Sequence, residues 1–365
     1  MTPYEVESLE ALDALLARPN GSFHHARLQG LELRQREREL LARNDFQGVV
    51  VLGGGITKPL AEHLRHHGAV IFEDDPSLPV PSFRSALYGY AELYDGLLEA
   101  GYEHTPDARA YHWSRDTTLT GDAYATLQRA IHDDCISDAL AEWVEGRVVV
   151  GVMGGHAVQR GTPAFEDAAR LGARLADAGA TVVTGGGPGA MEAANLGALL
   201  GDNDALRRAL LDLAGEPDFA RSIDAWAATA WKVRSRHAPA VSHRSLGIPT
   251  WFYGHEPPNL FGSAVAKYFS NALREDILLA ICNGGIVVLP GAAGTVQEIF
   301  QVTTRLYYAA EPGPPLVLVG RTQWTETVPV WPVLEALGAR SPLGQSIHLV
   351  DTIDEAAQIL LTPSG

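Results

Sequence analysis

The chain has very little cysteine, few basic residues and no apolar run long enough to matter. Only two of its 365 residues are cysteine, Cys135 and Cys282. Two cysteines make neither a disulfide framework nor a cysteine-rich metal site, and they fit a reducing, cytoplasmic setting. Lys and Arg number 28 against 44 Asp and Glu, a formal net charge of −16. A chain of that sign repels polyphosphate, which excludes bulk binding to a nucleic-acid polymer and docking on an anionic membrane. One local anion site stays compatible with it. The first residues carry several carboxylates and lack a basic start followed by an apolar run, so no leader is expected. Residues 277–297 carry no charge, but Asn283-Gly284-Gly285 and Pro290-Gly291 interrupt them, so they do not form one spanning helix.

What is present is an ordinary globular composition, 46% hydrophobic and 20% charged. The length predicts two domains, or one with large additions. Residues 1–45 read as helical and charged, with a solvated run at 32–39. A small β-α-β pattern follows over 49–72, with Gly53-Gly54-Gly55 after its first strand, then a proline loop at 74–81 and helices at 84–100 and 122–145. From Arg147 a stronger alternation begins. Strands are expected at 148–152, 181–184, 247–253, 286–289, 315–319 and 348–350, and helices at 163–178, from 190, over 203–237, 263–281, from 294, 330–338 and 353–361. Near-continuous apolar strands alternating with helices make a doubly wound, Rossmann-like parallel α/β sheet. The boundaries read as an N-terminal α/β extension over 1–145 and a doubly wound α/β domain over 146–365.

Ligands of open α/β sheets sit beyond the carboxyl ends of the strands. Four such ends carry unusual chemistry: Gly154-Gly155-His156, the loop Gly185 to Gly189, Gly254-His255-Glu256, and the run from Pro290 to Thr295. Glycine-rich turns that open helices cradle anions, because the backbone approaches closely and free N–H groups point outward. Gly185-x-Gly187-x-x-Ala190 formally fits a dinucleotide fingerprint, but no strand ending in an acidic residue follows at the required distance, which disfavours a nicotinamide dehydrogenase. No Gly-Lys-Ser/Thr follows any loop, which disfavours a triphosphate P-loop. Thr295-x-x-Glu298 has the form of a capping box, and capping alone would account for that pair. It does not account for the preceding Pro290-Gly291-Ala292-Ala293-Gly294.

In these motifs the sequence resembles the Lonely Guy (LOG) family, long mislabelled as lysine decarboxylases. That family carries Pro-Gly-Gly-x-Gly-Thr-x-x-Glu where this chain has 290–298, and Gly-Gly-Gly followed by Gly-x-Met where this chain has Gly185-Gly186-Gly187-Pro188-Gly189-Ala190-Met191. The resemblance covers roughly 147–350 and marks a long, N-terminally extended member. It implies a phosphoribohydrolase that cleaves the N-glycosidic bond of a nucleoside 5′-monophosphate to free base and ribose 5-phosphate. Gly291, Ala292, Ala293, Gly294 and Thr295 would hold the phosphate, and Glu298 would work near the ribose C1′. A carboxylate there stabilises an oxocarbenium-like centre and orients water, and a helix N-terminus favours its ionised form. Nucleotide contacts are expected from Gly154, Gly155, Gly185, Gly186, Gly187, Gly189, Met191, Glu192, His255 and Glu256.

Two departures stand out. Ala292 replaces the second loop glycine, so a positive φ there would be strained. The family arginine, 23 residues before the glutamate, falls on Glu275; Arg274 is adjacent, and a one-residue insertion restores it as the catalytic arginine. The resemblance implies no cofactor and no metal. It implies a homodimer, for which a helix over 263–281 would offer an apolar stripe. The histidines at 24, 25, 63, 66 and 67 have no metal-ligand spacing. A non-catalytic nucleotide sensor or carrier of the same fold is the alternative reading.

Overall fold

The computed structural model describes residues 5–18, 20–201, 204–239, 242, 244–253 and 256–362. The chain divides into two compact units, Met1–Leu87 with Thr117–Leu140, and Tyr88–Asp116 with Ala141–Gly365.

The smaller unit is built on β1 (Glu5–Val6), β2 (Arg27–Gln29), β3 (Val50–Leu52) and β4 (Val70–Phe72), all parallel and in sequential order. α1 (Leu9–Ala17), α2 (Glu37–Leu41) and α3 (Lys58–His66) lie in the connections. Val6, Leu12, Leu28, Phe46, Val51, Leu60 and Leu64 form its core. Residues 1–45 are thus not uniformly helical: β2 pairs with the edge of β3 and β1 with the edge of β2, each burying one apolar residue, Leu28 and Val6. The chain next runs through α4 (Tyr90–Leu93), α5 (Leu97–Ala100) and α6 (Pro106–Arg115), which count with the larger unit. The helix expected over 84–100 is broken into two by Gly96, whose φ is +81°. α7 (Ala123–Val144) follows, and within the smaller unit Arg27 of β2 reaches Asp134, Asp138 and the Cys135 Sγ on it.

The triple glycine of this unit has its own occupant. Gly53 and Gly54 take positive φ, and the Gly54 N–H donates to the Asp74 carboxylate at 2.9 Å. The position where a helix-opening glycine loop would receive an anion is filled by an anion of the chain itself.

The larger unit contains β5 (Val149–Met153), α8 (Pro163–Asp177), β6 (Thr181–Thr184), α9 (Ala190–Leu200), α10 (Asp204–Leu213), α11 (Ile223–His237), β7 (Ser245–Gly247), β8 (Ala264–Val265), α12 (Asn271–Ala280), β9 (Ile286–Val288), α13 (Ala293–Tyr307), β10 (Leu316–Val319), α14 (Trp331–Gly338), α15 (Leu343–Ser346), β11 (Ile347–Val350) and α16 (Ile353–Leu361). Its seven strands are parallel in the order β11-β10-β9-β5-β6-β7-β8. Chain order reverses between β5 and β9, and that pair is the topological switch point. β5, β6 and β10 are buried along their whole length, which is why they read as plain apolar runs.

Two expected elements differ. The strand expected over 247–253 stops at Gly247, because Pro249 cannot continue the ladder. The helix expected over 263–281, on which the dimer stripe rested, is a two-residue strand, Ala264–Val265, and a separate helix that begins at Asn271 and ends at Ala280. The separation is enforced by Lys267, which is 2% exposed and donates to Asp107 at 2.6 Å, and by Ser270, which caps α12. Asp107 also accepts from the Tyr102 hydroxyl at 2.8 Å and the Trp251 indole at 2.9 Å. These bonds tie the segment 88–116 into the larger unit.

Close packing of α8 on α9 sets the position of the second glycine loop. A methyl group on Gly172 or Gly197 would run into a backbone carbonyl of the facing helix, Ala194 or Ala169 respectively. The helices therefore touch backbone to backbone along a seam of small residues.

Candidate active site

The carboxyl ends of β5, β6 and β9 open into one cavity of about 660 Å³, a size suited to a mononucleotide. Its wall includes Gly154, Gly155 and His156 after β5, Gly185, Gly187 and Met191 after β6, and Pro290, Gly291, Ala292, Gly294, Thr295 and Glu298 after β9. The loops are stitched together by backbone. Gly155 N–H donates to Pro290 O at 3.2 Å, and Ala190 N–H donates to Gly155 O at 3.1 Å. Gly189, at φ +74°, has no room for a side chain against the Gly155 carbonyl.

The two helices that open on this cavity lack the side-chain caps that most of the longer helices carry, as do the short helices α2, α4, α5, α14 and α15. α1, α3, α6, α8, α11, α12 and α16 each begin with a Ser or Thr side chain accepting an N–H of the first turn. α9 and α13 begin at Gly189 and Ala292 with no side-chain cap. Leaving first-turn donors without a side-chain acceptor costs stability unless something else takes them. Residues of both helix starts line the cavity, where an anion would be the acceptor.

The structure settles both readings attached to the Pro290 loop. Ala292 has φ −113°, so alanine there carries no left-handed strain. The Thr295-x-x-Glu298 capping box does not form: α13 starts at Ala293, Thr295 is its third residue, and Glu298 lies in the second turn, not the first. Gly291 is required instead by proximity, since a Cβ there would collide with the Thr295 Oγ1. Gly291→Ala is expected to weaken any anion binding at the start of α13 by about tenfold or more while the fold persists, a loss measurable by calorimetry with inorganic phosphate.

Beyond the loop the wall becomes acidic and carries one buried cation. Arg274 is 8% exposed, and its Nη2 donates to Asn271 Oδ1 at 2.7 Å. Its Nε is buried without a partner. Glu298 is half-buried on the same wall. Burial pushes its carboxyl up to about 7; Arg274 opposes the shift and Glu275 adds to it. The helix N-terminus therefore does not hold Glu298 fully ionised, as the sequence reading expected; desolvation outweighs it. The folded state binds this proton more tightly than the unfolded chain, so stability falls as pH rises from about 4.5 through about 7. Glu298→Gln escapes that loss. Its melting temperature is expected to exceed that of the wild type at pH 8 but not at pH 4, by up to about 3 kcal/mol of stability. Equal gaps at both pH values would refute the shift.

Of the residues expected at the site, the cavity gathers Gly154, Gly155, Gly185, Gly187, Met191, Glu256, Arg274, Gly291, Ala292, Gly294, Thr295 and Glu298. It does not gather Gly186, Gly189, Glu192 or Ala293. Gly186 is spent on backbone bonds: its N–H donates to Thr184 Oγ1 at 3.0 Å, and its carbonyl accepts from Asn259 N at 2.7 Å. Glu192 is 1% exposed and bonded to Arg160, so it cannot reach a ribose. His255 lies outside the described residues. Glu256 meets His156 Nδ1 at 3.3 Å.

Several contributors escaped the sequence reading. Asn195 accepts from the Thr184 hydroxyl at 2.7 Å and from the Asn259 amide at 3.0 Å, and donates to Ser245 Oγ at 3.0 Å. The Asn259 amide also donates to the Gly187 carbonyl at 3.1 Å. This buried network fixes the β6 glycine loop from behind. Its one local signal was an asparagine in a helix whose other residues, apart from Glu192, are apolar. Glu275, Asn271 and Gln297 form a second set on the acidic wall.

Among the described residues no group of three or more His, Cys, Asp and Glu is placed to hold a metal ion. No described helix is long and apolar enough to cross a membrane.

Residues 147–203 match the family described as the SLOG cluster4 family. The match runs from the start of β5 through α9, and so contains the first two glycine loops; the Pro290 loop and Glu298 lie beyond it. It bears out, over that span, the LOG-like character read from the glycine loops. Two solved structures are similar over 59% of this chain. One is the molybdenum cofactor binding protein from the phototrophic bacterium Rippkaea orientalis, 16% identical, 96% covered, with a TM-score of 0.35. The other is TM1055, 21% identical, 98% covered, with a TM-score of 0.37. No curated protein matches the chain in sequence.

Proposed function

We propose, for a Rossmann-like unit that carries a SLOG-type segment, that this protein hydrolyses the N-glycosidic bond of a nucleoside 5′-monophosphate. The observation that carries the reading is a juxtaposition in one cavity. The uncapped start of α13, with Gly291, Gly294 and Thr295, stands beside the Glu298 and Arg274 side chains. The first group binds a phosphate without needing net positive charge. The second supplies what bond cleavage needs one sugar length away.

In this reading the phosphate docks on the N–H groups of α13, and the ribose extends along the helix toward its second turn. As the base leaves, positive charge grows at C1′ and the ring oxygen. The Glu298 carboxylate stabilises that charge and takes a proton from the attacking water, whose oxygen bonds to C1′. The base carries away the C1′–N electron pair and is protonated in turn. Arg274, whose guanidinium is fixed by Asn271 and lines the cavity, anchors an oxygen of the substrate. Incubation with AMP, GMP, CMP and UMP, followed by detection of free base and ribose 5-phosphate, tests this. Folded protein that releases no base from any of them rules it out. Binding without turnover would favour the sensor reading.

A further inference from the structure

We infer that Glu275 is the acceptor for the ribose hydroxyls, and that it makes the cavity selective for ribonucleotides over 2′-deoxyribonucleotides. The inference rests on the nucleotide reading above and adds the sugar class.

Glu275 occupies the place where the family resemblance puts an arginine, and both it and Arg274 line the cavity. Its carboxylate is held from two helices. Oε1 accepts from the Asn271 amide of α12 at 2.8 Å, and Oε2 accepts from the Gln297 amide of α13 at 2.7 Å. Each oxygen has accepted one amide hydrogen and keeps a second lone pair. Asn271 also accepts from Arg274, so one side chain sets the spacing between the carboxylate and the guanidinium.

This arrangement dictates the chemistry of the group that fits it. Glu275 offers only acceptors, and the Arg274 guanidinium, whose Nη1 lies beside Gly185 of the cavity wall, offers only donors. A phosphate is excluded from this end of the cavity by two carboxylates, Glu275 and Glu298. An apolar group would desolvate the carboxylate and the guanidinium without pairing either. A hydroxyl satisfies both sides, since its O–H donates to Glu275 while its oxygen accepts from Arg274. Two neighbouring hydroxyls, as on a ribose, use both free lone pairs of the carboxylate. The substrate orientation follows, with the phosphate at the start of α13 and the diol on the acidic wall.

The test compares binding of ribose 5-phosphate and 2-deoxyribose 5-phosphate by calorimetry, and kcat/KM for AMP and dAMP. The wild type is expected to prefer the ribo form by about twentyfold or more, as a site built around a substrate hydroxyl does. In Glu275→Gln the preference falls to within about threefold, chiefly through loss of the ribo arm. Gln297→Ala, which frees one oxygen but keeps the charge, gives an intermediate ratio. A preference unchanged in Glu275→Gln overturns the assignment of Glu275 and leaves the nucleotide reading intact. Failure of the wild type to bind either sugar phosphate or release any base overturns the nucleotide reading itself.

Discussion

Glu298→Gln is expected to lower base release from a nucleoside 5′-monophosphate by about 10³-fold, with nucleotide affinity changed by no more than a few-fold. The substitution keeps the shape of the side chain and removes only its charge and basicity. In the proposed reading the phosphate rests on α13 donors one turn away, so KM is expected to hold while kcat falls. The pH profile separates this role from a structural one. With the carboxyl at about 7, the group is half ionised near neutrality. Wild-type kcat/KM is therefore expected to rise as pH passes from 6 to 8, since the ionised form is the one that stabilises C1′ and takes the water proton. The residual rate of the variant is expected to be flat over the same range. Arg274→Met should move the wild-type midpoint upward, because Arg274 is the group that holds Glu298 down. A Glu298→Gln enzyme with wild-type turnover, or a profile that falls through neutrality, sinks this role.

How much of this was legible beforehand depends on the range of each interaction. β5, β6, β9 and β10 could be read directly, because strands covered on both faces are uninterrupted apolar runs. The glycine loops after them could be read because positive φ and close backbone approach restrict the residue type locally. Gly189 and Gly291 are such positions. The β8 to α12 segment was read as one helix because its apolar residues carry no local sign that Lys267 is buried. Lys267 is buried by an aspartate 160 positions away. Glu192 was taken for a ligand contact because its partner, Arg160, is 32 residues distant and nothing in the spacing connects them. Ala292 was read as a strained substitution because the motif suggested a glycine conformation that the loop does not adopt. The β-α-β pattern read over 49–72, with its triple glycine, does correspond to part of a parallel α/β unit. What the local pattern could not reveal is that Asp74 already occupies the Gly54 amide.

The largest stability effect is expected at a residue that touches no substrate. Arg160 is 3% exposed and Glu192 is 1% exposed. The Arg160 Nε donates to both Glu192 oxygens at 3.1 Å, its Nη2 reaches Oε1, and its Nη1 donates to the Trp226 carbonyl at 3.1 Å. Its guanidinium also lies 4.5 Å over the Trp226 ring. Arg160→Met fills much of the same volume but strands a buried carboxylate and the Trp226 carbonyl. Breaking a buried pair in this way costs about 3–5 kcal/mol, and for a unit of this size the melting temperature should fall by about 10 °C. Adding Glu192→Gln removes the stranded charge and keeps the side chain's shape, so the double variant should recover at least half of the loss. Glu192 is the third residue of α9, next to Met191 on the cavity wall. Nucleotide affinity should therefore fall with the single substitution and return with the double one, in step with stability. An Arg160→Met protein that melts with the wild type would mean that water or a neighbouring donor replaces the arginine. The pair would then not be what anchors the start of α9.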